Sequence, residues 1–483
     1  MFRQQGELHP DAAQVLQNQA GRGYAREYGR RANSIAGGGI MKREKKGQIS
    51  DFRYATGTAR IGWPAVGEPL RLDDVMRIVE FLVPAAPGRP AAYRRNLAKV
   101  RRAIGGLAEA GSLATKLTLG NRVKELEQAV EKYLDVRHAL FLTNATAGFE
   151  IAYKMAGLAP GDEVIVPAIT FIATIVYPLS IGAKVVLADL DPQTVNIDPA
   201  DVARKITPRT RMIVPVHIGG WPVDMAPIMR LARQHGLIVL EDAAHGFGGS
   251  YRGRRLGTIG HFGAYSFHEV KNINALGEGG ILVTNTKFGQ QFGKSRFVGL
   301  DLSKKIPNWL YDVVAIDGMR GPFVAGNHSA TEIQAVALKS QLHRVDEIIA
   351  VRRAAARELN HRFRHVPGLR GTPMDHGTTR GTHHLYQLQI DPQVVGADIQ
   401  DLKDKLTERG VTQIPHFGPL YKFQILRQLG YDTAAIESSC PVCEDLFNHR
   451  FTHLPIYGLS AEQIRYLGDA VIESVSELRR GTA

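Results

Sequence analysis

Short apolar runs alternate with helical segments through the middle of this chain. Five runs of strand length, ALFLTN, EVIVPA, KVVLADLD, MIVPVHIG and LIVLED, follow one another, and amphipathic segments such as ATAGFEIAYKMAGL and DMAPIMRLARQHG separate most of them. Because parallel strands need crossover helices, this alternation predicts an α/β fold with a mainly parallel sheet covered on both faces. Two further runs, FGAYSFH and GGILVTN, lie close together in the sequence. They predict a hairpin-like or antiparallel arrangement at the edge of the sheet.

The rest of the chain divides into segments of different character. Residues 1–70 show little periodicity and include NSIAGGGIMKREKKGQ, which is typical of an extension or linker that is partly flexible. An N-terminal helical segment is predicted over 71–120, a large α/β domain over 121–330 and a smaller α+β domain over 331–483. In the smaller domain, a long helical stretch runs from 330 to 366, HLYQLQI and VTQIPHF are predicted strands, and a final helix begins at 461.

The charge of the chain is unevenly distributed. The formal net charge is +13, and residues 1–60 hold 11 Lys and Arg against 5 Asp and Glu. A nucleic-acid-binding regulatory protein that uses this basic extension is therefore one hypothesis. The absence of a basic-aromatic nucleic-acid motif argues against it, and a positive surface also attracts phosphorylated small molecules. No apolar run is long enough to span a membrane, the first residues MFRQQGELHP lack the apolar core of a secretory signal, and only two cysteines are present. These features predict a cytoplasmic protein.

Residues that follow the predicted strands carry the chemistry. In open α/β sheets, ligands bind beyond the carboxyl ends of the strands. Ala145 and Thr146 open a helix after ALFLTN, where backbone N–H groups suit a phosphate, although a simple tight turn has the same sequence. Phe171 follows EVIVPA and either packs in the core or stacks on a flat heterocycle. Asp242 ends LIVLED and is either a helix cap or the partner of a buried positive charge.

A lysine then stands between a predicted strand and a glycine-rich turn. In SFHEVKNINALGEGG the glycines explain the turn, but the turn does not explain Lys271. A lysine whose pKa is lowered by its surroundings forms a Schiff base with a carbonyl. Pyridoxal 5′-phosphate needs such a lysine, an acid for its pyridinium nitrogen and a phosphate site. The residues at the strand ends therefore predict a covalent role for Lys271.

The segment from about 117 to 475 resembles the DegT/DnrJ/EryC1/StrS family of fold type I pyridoxal-phosphate enzymes. The matching stretches are GDEVIVPAITFIAT, IVPVHIGG, IVLEDAAHGFGGSYRGRRLGTIG, SFHEVKN with LGEGG, ATEIQAVALKSQL and CPVCEDLFNHRFTHLPIYGLS. The resemblance implies a large cofactor-binding domain, in which helices sandwich a mainly parallel seven-stranded sheet, and a smaller C-terminal α+β domain.

The resemblance also implies a role for each matching residue. Lys271 would bond to the cofactor and carry the proton, Asp242 would pair with the ring nitrogen, and Phe171 would lie against the ring. Ala145, Thr146 and Ser266 would hold the phosphate, and His245 would lie near the phenolic oxygen. Asn327 would reach the cofactor phosphate of a neighbouring subunit, which implies a homodimer with shared active sites.

The activity implied is transfer of an amino group from glutamate or glutamine to a small-molecule acceptor. The acceptor would be a keto sugar, often nucleotide-linked, or a keto-cyclitol, in antibiotic or cell-surface glycan biosynthesis. Many members continue this asparagine motif as Asn-x-Arg-Met, whereas this chain has Asn327-His328-Ser329-Ala330, which leaves the acceptor open. Some members are sugar dehydratases, but these replace the lysine with histidine, so Lys271 favours transamination.

No metal site is predicted. Cys440 and Cys443 have the redox spacing, but no second pair completes a zinc site, and a structural role is favoured. His449 and His453 lie four residues apart without a third ligand or an HExxH sequence.

Overall fold

The computed structural model describes residues 70–111, 116–301, 312–413 and 418–481. All of these belong to one compact unit, Arg53–Ala483. The predicted extension over 1–70 lies outside the described residues except for its last position. The proposed domain boundaries therefore stay a prediction.

The chain folds into alternating helices and strands in its first half. The helices are α1 (Leu72–Leu82), α2 (Pro90–Ala110), α3 (Asn121–Leu134), α4 (Ala145–Ala156), α5 (Ala173–Ser180), α6 (Pro199–Lys205), α7 (Met225–His235) and α8 (Phe292–Arg296). The strands are β1 (His138–Leu142), β2 (Glu163–Pro167), β3 (Lys184–Ala188), β4 (Thr210–Ile213), β5 (Ile238–Asp242), β6 (Ser250–Tyr251), β7 (Arg254–Arg255), β8 (Phe262–Ser266) and β9 (Gly280–Thr284).

The second half is richer in helix. Its helices are α9 (Glu332–Leu342), α10 (Val345–Phe363), α11 (Pro392–Val395), α12 (Ile399–Glu408), α13 (Gln424–Gln428), α14 (Thr433–Ser438), α15 (Pro441–Asp445) and α16 (Ala461–Gly481). Its strands are β10 (Ile316–Gly318), β11 (Gly321–Phe323), β12 (Leu369–Arg370), β13 (Tyr386–Ile390) and β14 (Phe451–Leu454).

Seven strands form the central sheet in the order β1-β9-β8-β5-β4-β2-β3. The neighbours from β8 to β3 pair in parallel, whereas β9 is antiparallel to both β1 and β8. The mainly parallel, seven-stranded sheet is therefore confirmed, as is the antiparallel pairing of the last two runs. Their expected position at an edge is wrong, because β9 lies inside the sheet. All five residues of β9 are buried, which suits a strand with neighbours on both sides.

Helices cover both faces of the sheet, as the alternating pattern predicts. Val164 and Val166 of β2 pack in one core cluster with residues of α4 and α5. Ile165, between them, packs in a different cluster with Ile228 of α7. Successive side chains of a strand point to opposite faces, so these uniformly apolar strands supply two cores at once.

The C-terminal part differs from the sequence expectation in two places. The helical stretch from 330 to 366 is two helices, α9 and α10, separated at His343 and Arg344. The HLYQLQI strand and the final helix are confirmed as β13 and α16. In VTQIPHF, Val411–Gln413 form no strand and 414–417 lie outside the described residues. Strand β14 instead pairs antiparallel with β13, a long-range partner that local sequence does not reveal.

A buried carboxylate joins α9 to α3. Glu332, the first residue of α9, accepts hydrogen bonds from the backbone nitrogens of Gly120 (2.6 Å), Arg122 (2.7 Å) and Val123 (3.2 Å). It thus satisfies the N–H groups that the first turn of α3 leaves without helical partners. Within the described ranges, no helix combines the length and apolarity that crossing a bilayer requires.

Candidate active site

Most of the predicted site residues come together at one edge of the central sheet. Asp242 is the last residue of β5 and Ser266 the last of β8, while Ala145 and Thr146 open α4 shortly after β1. Strands β1, β5 and β8 run in the same direction, so their carboxyl ends share this edge. The topology therefore assembles residues that are more than 100 positions apart in the sequence.

The start of α4 is shaped to bind an anion. Asn144 caps this helix, its Oδ1 accepting a hydrogen bond from the backbone nitrogen of Ala147 at 2.9 Å. Gly280 pairs with Ser266 and passes directly behind the helix start. A Cβ on Gly280 would lie 2.2 Å from the carbonyl carbon of Asn144 and 2.4 Å from the nitrogen of Ala145. Only glycine permits this close approach, and the turn then presents backbone N–H groups and the positive end of the helix dipole.

Asp242 is a buried carboxylate held by neutral donors. Its side chain accepts hydrogen bonds from Thr174 Oγ1 (2.8 Å) and the backbone nitrogen of Ala244 (3.1 Å). Burial raises the pKa of Asp242, and the hydrogen bonds and the positive charge of Lys271 oppose that rise. A carboxylate in this position is stabilised by a cation that comes to lie against it. The sequence did not predict Thr174, which lies in α5, because nothing local marks it as the partner of a residue at the end of β5.

A second buried carboxylate fixes the strand that carries Asp242. Glu241 accepts hydrogen bonds from the backbone nitrogens of Gly257 (2.9 Å) and Ile259 (2.6 Å), and its Oε2 lies 3.1 Å from His217 Nε2. His217 Nδ1 accepts from the backbone nitrogen of Val223 (3.1 Å), so the ring proton resides on Nε2 and points to Glu241. This network holds the end of β5 in place.

Lys271 lies in the turn between β8 and β9 and is half-buried. Burial lowers the pKa of Lys271 to about 8, although the negative charge of Asp242 works in the opposite direction. Within 4.0 Å, its amine forms no ion pair with another described residue. About half of the amine is therefore neutral at pH 8, which makes it a nucleophile and a base.

Two stacked histidines lie beside Lys271. The rings of His245 and His384 are 4.5 Å apart between centroids and inclined by 29°. Burial, and after it the positive charge of Lys271, holds the pKa of each ring well below its usual range. His384 Nδ1 lies 3.1 Å from Asn272 Oδ1. Nδ1 therefore carries the ring proton and donates a hydrogen bond to this amide oxygen. His384 and Asn272 were missed, and the position of Asn272 directly after Lys271 was the available signal.

Phe171 takes a different position from the buried residues. Its side chain is 58% exposed, in the segment that enters α5. Its backbone oxygen accepts a hydrogen bond from the nitrogen of Thr174 (3.1 Å), the residue that binds Asp242. The ring is thus close to the site and accessible to a ligand, which suits stacking better than core packing.

Asn327 lies on a segment that packs beside β1 of its own chain. Its Oδ1 accepts a hydrogen bond from the backbone nitrogen of Ser329 (3.1 Å). The backbone oxygen of the next residue, His328, accepts a hydrogen bond from the backbone nitrogen of Thr143 (3.1 Å). Thr143 lies two residues before the start of α4. The reach of Asn327 to a second subunit stays a prediction.

The residues fit pyridoxal 5′-phosphate. The glycine-backed start of α4 and the Ser266 hydroxyl suit a phosphate, and the buried Asp242 suits a pyridinium nitrogen. The partly neutral Lys271 suits an aldehyde, and it lies near enough to Asp242 for the charge of each to shift the pKa of the other. Fold and site together define a fold type I pyridoxal-phosphate enzyme.

The sequence comparison identifies the family. The DegT/DnrJ/EryC1/StrS aminotransferase family matches residues 107–472, and the chain belongs to it. The protein is accordingly an aminotransferase that uses pyridoxal 5′-phosphate.

Curated relatives and solved structures agree with this assignment. The chain is 34% identical over 380 residues to the spore coat polysaccharide biosynthesis protein SpsC of Bacillus subtilis, covering 76% of this chain and 91% of the relative. It is 33% identical over 326 residues to GDP-perosamine synthase of Caulobacter vibrioides, covering 67% and 84%. Its fold matches the crystal structure of DesV from S. venezuelae with a TM-score of 0.65 and 29% identity, covering 80% and 96%.

The two cysteines are packing residues in this structure. Cys440 and Cys443 are both buried and free at the start of α15. Burial raises the pKa of Cys443 to about 12, so its thiol stays protonated and unreactive at neutral pH. In the described part of the chain, no cluster of three or more His, Cys, Asp or Glu side chains is arranged to hold a metal ion.

Proposed function

We propose that this aminotransferase moves an amino group from glutamate or glutamine to the ketone of a sugar, often nucleotide-linked, or of a cyclitol. The names of SpsC and GDP-perosamine synthase connect two similar proteins to carbohydrate metabolism. The single observation that carries the reaction type is Lys271, a half-buried amine whose pKa is about 8, electrostatically coupled to Asp242. We place the reaction in the cytoplasm, in antibiotic or cell-surface glycan biosynthesis.

Each side chain of the candidate site has a separate role in such a reaction. Bound pyridoxal 5′-phosphate supplies an electron sink that stabilises negative charge at the substrate carbon. The Asp242 carboxylate keeps the ring nitrogen positively charged, which strengthens that sink. Lys271 Nζ takes the proton from the donor carbon, and it can do so because a large part of the amine is neutral near pH 8. The start of α4 and Ser266 hold the phosphate, and Phe171 covers the ring.

His245 is proposed to lie near the phenolic oxygen of the cofactor. The low pKa of its imidazole keeps the ring neutral. A neutral ring both donates and accepts a hydrogen bond, so it can orient that oxygen without adding a second positive charge beside Lys271. The stack with His384 limits the rotation of the ring.

The active enzyme is proposed to be a homodimer in which Asn327 completes the phosphate site of the neighbouring subunit. This arrangement is isologous, since each chain gives the same residue that it receives. It leaves Lys271 and Asp242 on one chain and Asn327 on the other.

A half-reaction experiment tests the function directly. The purified holoprotein is mixed with glutamate, glutamine and a panel of other amino acids, and the cofactor absorbance is followed together with release of the 2-oxo acid. We expect stoichiometric conversion with glutamate or glutamine, and reversal when a keto sugar is added. Lys271→Ala serves as the inactive control.

Two results would contradict the proposal. Conversion by no amino donor would count against transamination and favour dehydration or another reaction of the cofactor. Steep, salt-sensitive DNA binding that is lost on deletion of residues 1–60, together with absent half-reactions, would favour the nucleic-acid hypothesis.

A further inference from the structure

A basic groove lies on the face of the sheet that α7 covers. It is formed between α7 and the β6–β7 hairpin and has a volume of about 370 Å³. Four arginines line it: Arg230 and Arg233 from the helix, and Arg252 and Arg254 from the hairpin. None of the residues assigned above to the cofactor lines this groove.

The four arginines have few partners in the protein. Arg254 donates a hydrogen bond to the carbonyl of Thr258 (2.7 Å), and the Arg252 guanidinium lies 5.1 Å from the ring centre of Tyr251. Among the described residues, no carboxylate lies within 4.0 Å of any of the four guanidinium groups. All four side chains are exposed. Like charges without ion-pair partners repel one another, so an anion bound among them reduces that repulsion.

The helix dipole explains the positive charge of only one of these residues. Arg233 lies in the last turn of α7, where the helix dipole favours a cation. Arg230 lies earlier in the helix, and Arg252 and Arg254 belong to a two-stranded hairpin, which has only a small net dipole. Arg254 holds a backbone carbonyl and Arg252 lies against a tyrosine ring, but neither contact neutralises a charge, and Arg230 has no such contact among the described residues.

The lining of the groove is almost entirely apolar, so the arginines face it mainly with their side-chain carbons and their guanidinium groups lie at its rim. Met225, Met229 and Ile259 line the floor of the groove together with the ring of Tyr251. The hydroxyl of Tyr251 already donates to Asp224, so the ring faces the groove as a flat apolar surface whose polar end is satisfied. The adjacent Asp224 carboxylate keeps its negative charge in this hydrogen bond and offsets part of the positive charge, which still leaves an excess of cations at the groove. A flat apolar floor with cations around it suits a ligand that has both an aromatic ring and negative groups.

We propose that this groove binds a nucleoside diphosphate at a site separate from the active site. The base lies over Tyr251 and Met229, and the two phosphates take bidentate hydrogen bonds from the guanidinium groups. Arginine matches phosphate geometry better than lysine does, and the lining contains four arginines and no lysine. The volume lies within the range of about 300–1,000 Å³ that is typical of small-molecule sites.

The groove is connected to the strand that carries Asp242. The backbone nitrogen of Ile259, in the floor, donates to Glu241, the neighbour of Asp242 in β5. A ligand on the groove therefore contacts a segment that also supports the active site. The binding proposal does not depend on this link or on the identity of the sugar acceptor.

Equilibrium binding of ADP and UDP to the holoprotein tests the proposal. The double variant Arg230→Gln with Arg252→Gln removes one cation from each wall, and we expect it to weaken binding about tenfold or more. The matched control is Arg370→Gln with Arg465→Gln, two exposed arginines elsewhere in the chain, which should leave the affinity unchanged. Circular dichroism and thermal unfolding of each variant show whether the fold is intact.

Two further experiments identify the binding site and the class of ligand. Photo-cross-linking with 8-azido-ADP should label peptides within residues 225–235 and 251–259, which line the groove, and not the segment around Asp242 between them; Lys271→Ala should not alter that labelling. Inorganic pyrophosphate should bind about tenfold or more weakly than ADP, because it lacks the base.

The proposal is overturned if the groove variant binds ADP as the wild type does, or if labelling falls only on active-site peptides. Pyrophosphate binding as tight as that of ADP would also overturn it. A glutamate-rich peptide that displaces ADP and binds more tightly would assign the groove to an acidic protein segment instead. All of these outcomes are distinct from the half-reaction result, which depends on Lys271 and not on the arginines.

Discussion

Lys271 and Asp242 are each costly to bury, and each makes the burial of the other less costly. Burial lowers the pKa of the amine and raises that of the carboxyl group, while the attraction between them opposes both shifts. Burial has the larger effect on both residues. The site is therefore built to hold a partly neutral amine beside a carboxylate that still needs a cation, which is the electrostatic setting for a bound pyridinium ring.

At the residue scale, removal of the lysine amine has a definite chemical consequence. Lys271→Ala should still bind pyridoxal 5′-phosphate through the phosphate site and Asp242, but borohydride should no longer fix the cofactor covalently, and turnover should be lost. Mass spectrometry of the reduced protein provides the measurement, with Lys132→Ala, an exposed lysine on α3, as the control. Covalent cofactor on the Lys271→Ala chain would assign the bond to another lysine.

Asp242→Asn should change both the rate and the pH profile. In cofactor-free protein, an amine-specific reagent should modify Lys271 with a midpoint near pH 8, because only the neutral amine reacts and its fraction rises with pH. The negative charge of Asp242 raises that pKa, so Asp242→Asn should move the midpoint below pH 8. Loss of the partner for the ring nitrogen should also slow turnover by about two to four powers of ten. Among the described residues, no helix begins directly after Asp242, so the helix-cap alternative is wrong. An unchanged midpoint with near-normal turnover would leave Asp242 only its structural hydrogen bonds with Thr174 and Ala244.

At the scale of elements, the glycine at the start of β9 controls the position of the α4 N-terminus. Gly280→Ala would force its Cβ to within 2.4 Å of the backbone at Asn144 and Ala145, so the strand and the helix must move apart. We expect affinity for pyridoxal 5′-phosphate to fall about tenfold or more, because the N–H groups then point away from the phosphate. Fluorescence titration of the cofactor-free protein measures this affinity.

Gly293→Ala is the control for that experiment. Gly293 is also a glycine of a regular element, in α8, and an added Cβ would meet no atom within 4 Å. The Gly293→Ala variant should bind pyridoxal 5′-phosphate with the affinity of the wild type. Equal affinity in the two variants would mean that the close approach at Gly280 has no part in phosphate binding.

At the scale of the whole molecule, the shared-site proposal predicts recovery of activity on mixing. Lys271→Ala and Asn327→Ala chains should each be impaired alone, the second because a phosphate hydrogen bond worth about 1–3 kcal/mol is lost. If Asn327 serves the neighbouring subunit, a heterodimer has one intact site and one site with both lesions. Activity should then rise towards half of the wild-type value per heterodimer, measured after subunit exchange.

The opposite result has an equally clear meaning. If Asn327 acts within its own chain, every site of the heterodimer keeps one lesion and mixing restores nothing. Native mass spectrometry confirms that heterodimers have formed, so an inactive mixture that contains them would rule out the shared site.

The sequence by itself determined the layers of the fold and the chemical types in the site. Uniformly apolar runs of strand length between amphipathic helices can bury both faces only inside a helix-covered parallel sheet, and that architecture is observed. The same periodicity located α3, α4, α7 and α16, because each of these signals is local. Asp242 and Lys271 also stood out locally, Asp242 at the end of an apolar run and Lys271 between a predicted strand and a glycine-rich turn.

Tertiary structure alone decided which distant residues meet. The position of β9 between β1 and β8 and the pairing of β13 with β14 depend on partners far away in the sequence. Thr174 on Asp242, His384 against His245 and the four arginines of the α7 groove come together for the same reason. Local patterns record how each segment buries its own surface. They do not indicate which other segment packs on that surface, and the pKa of a buried group depends on this packing.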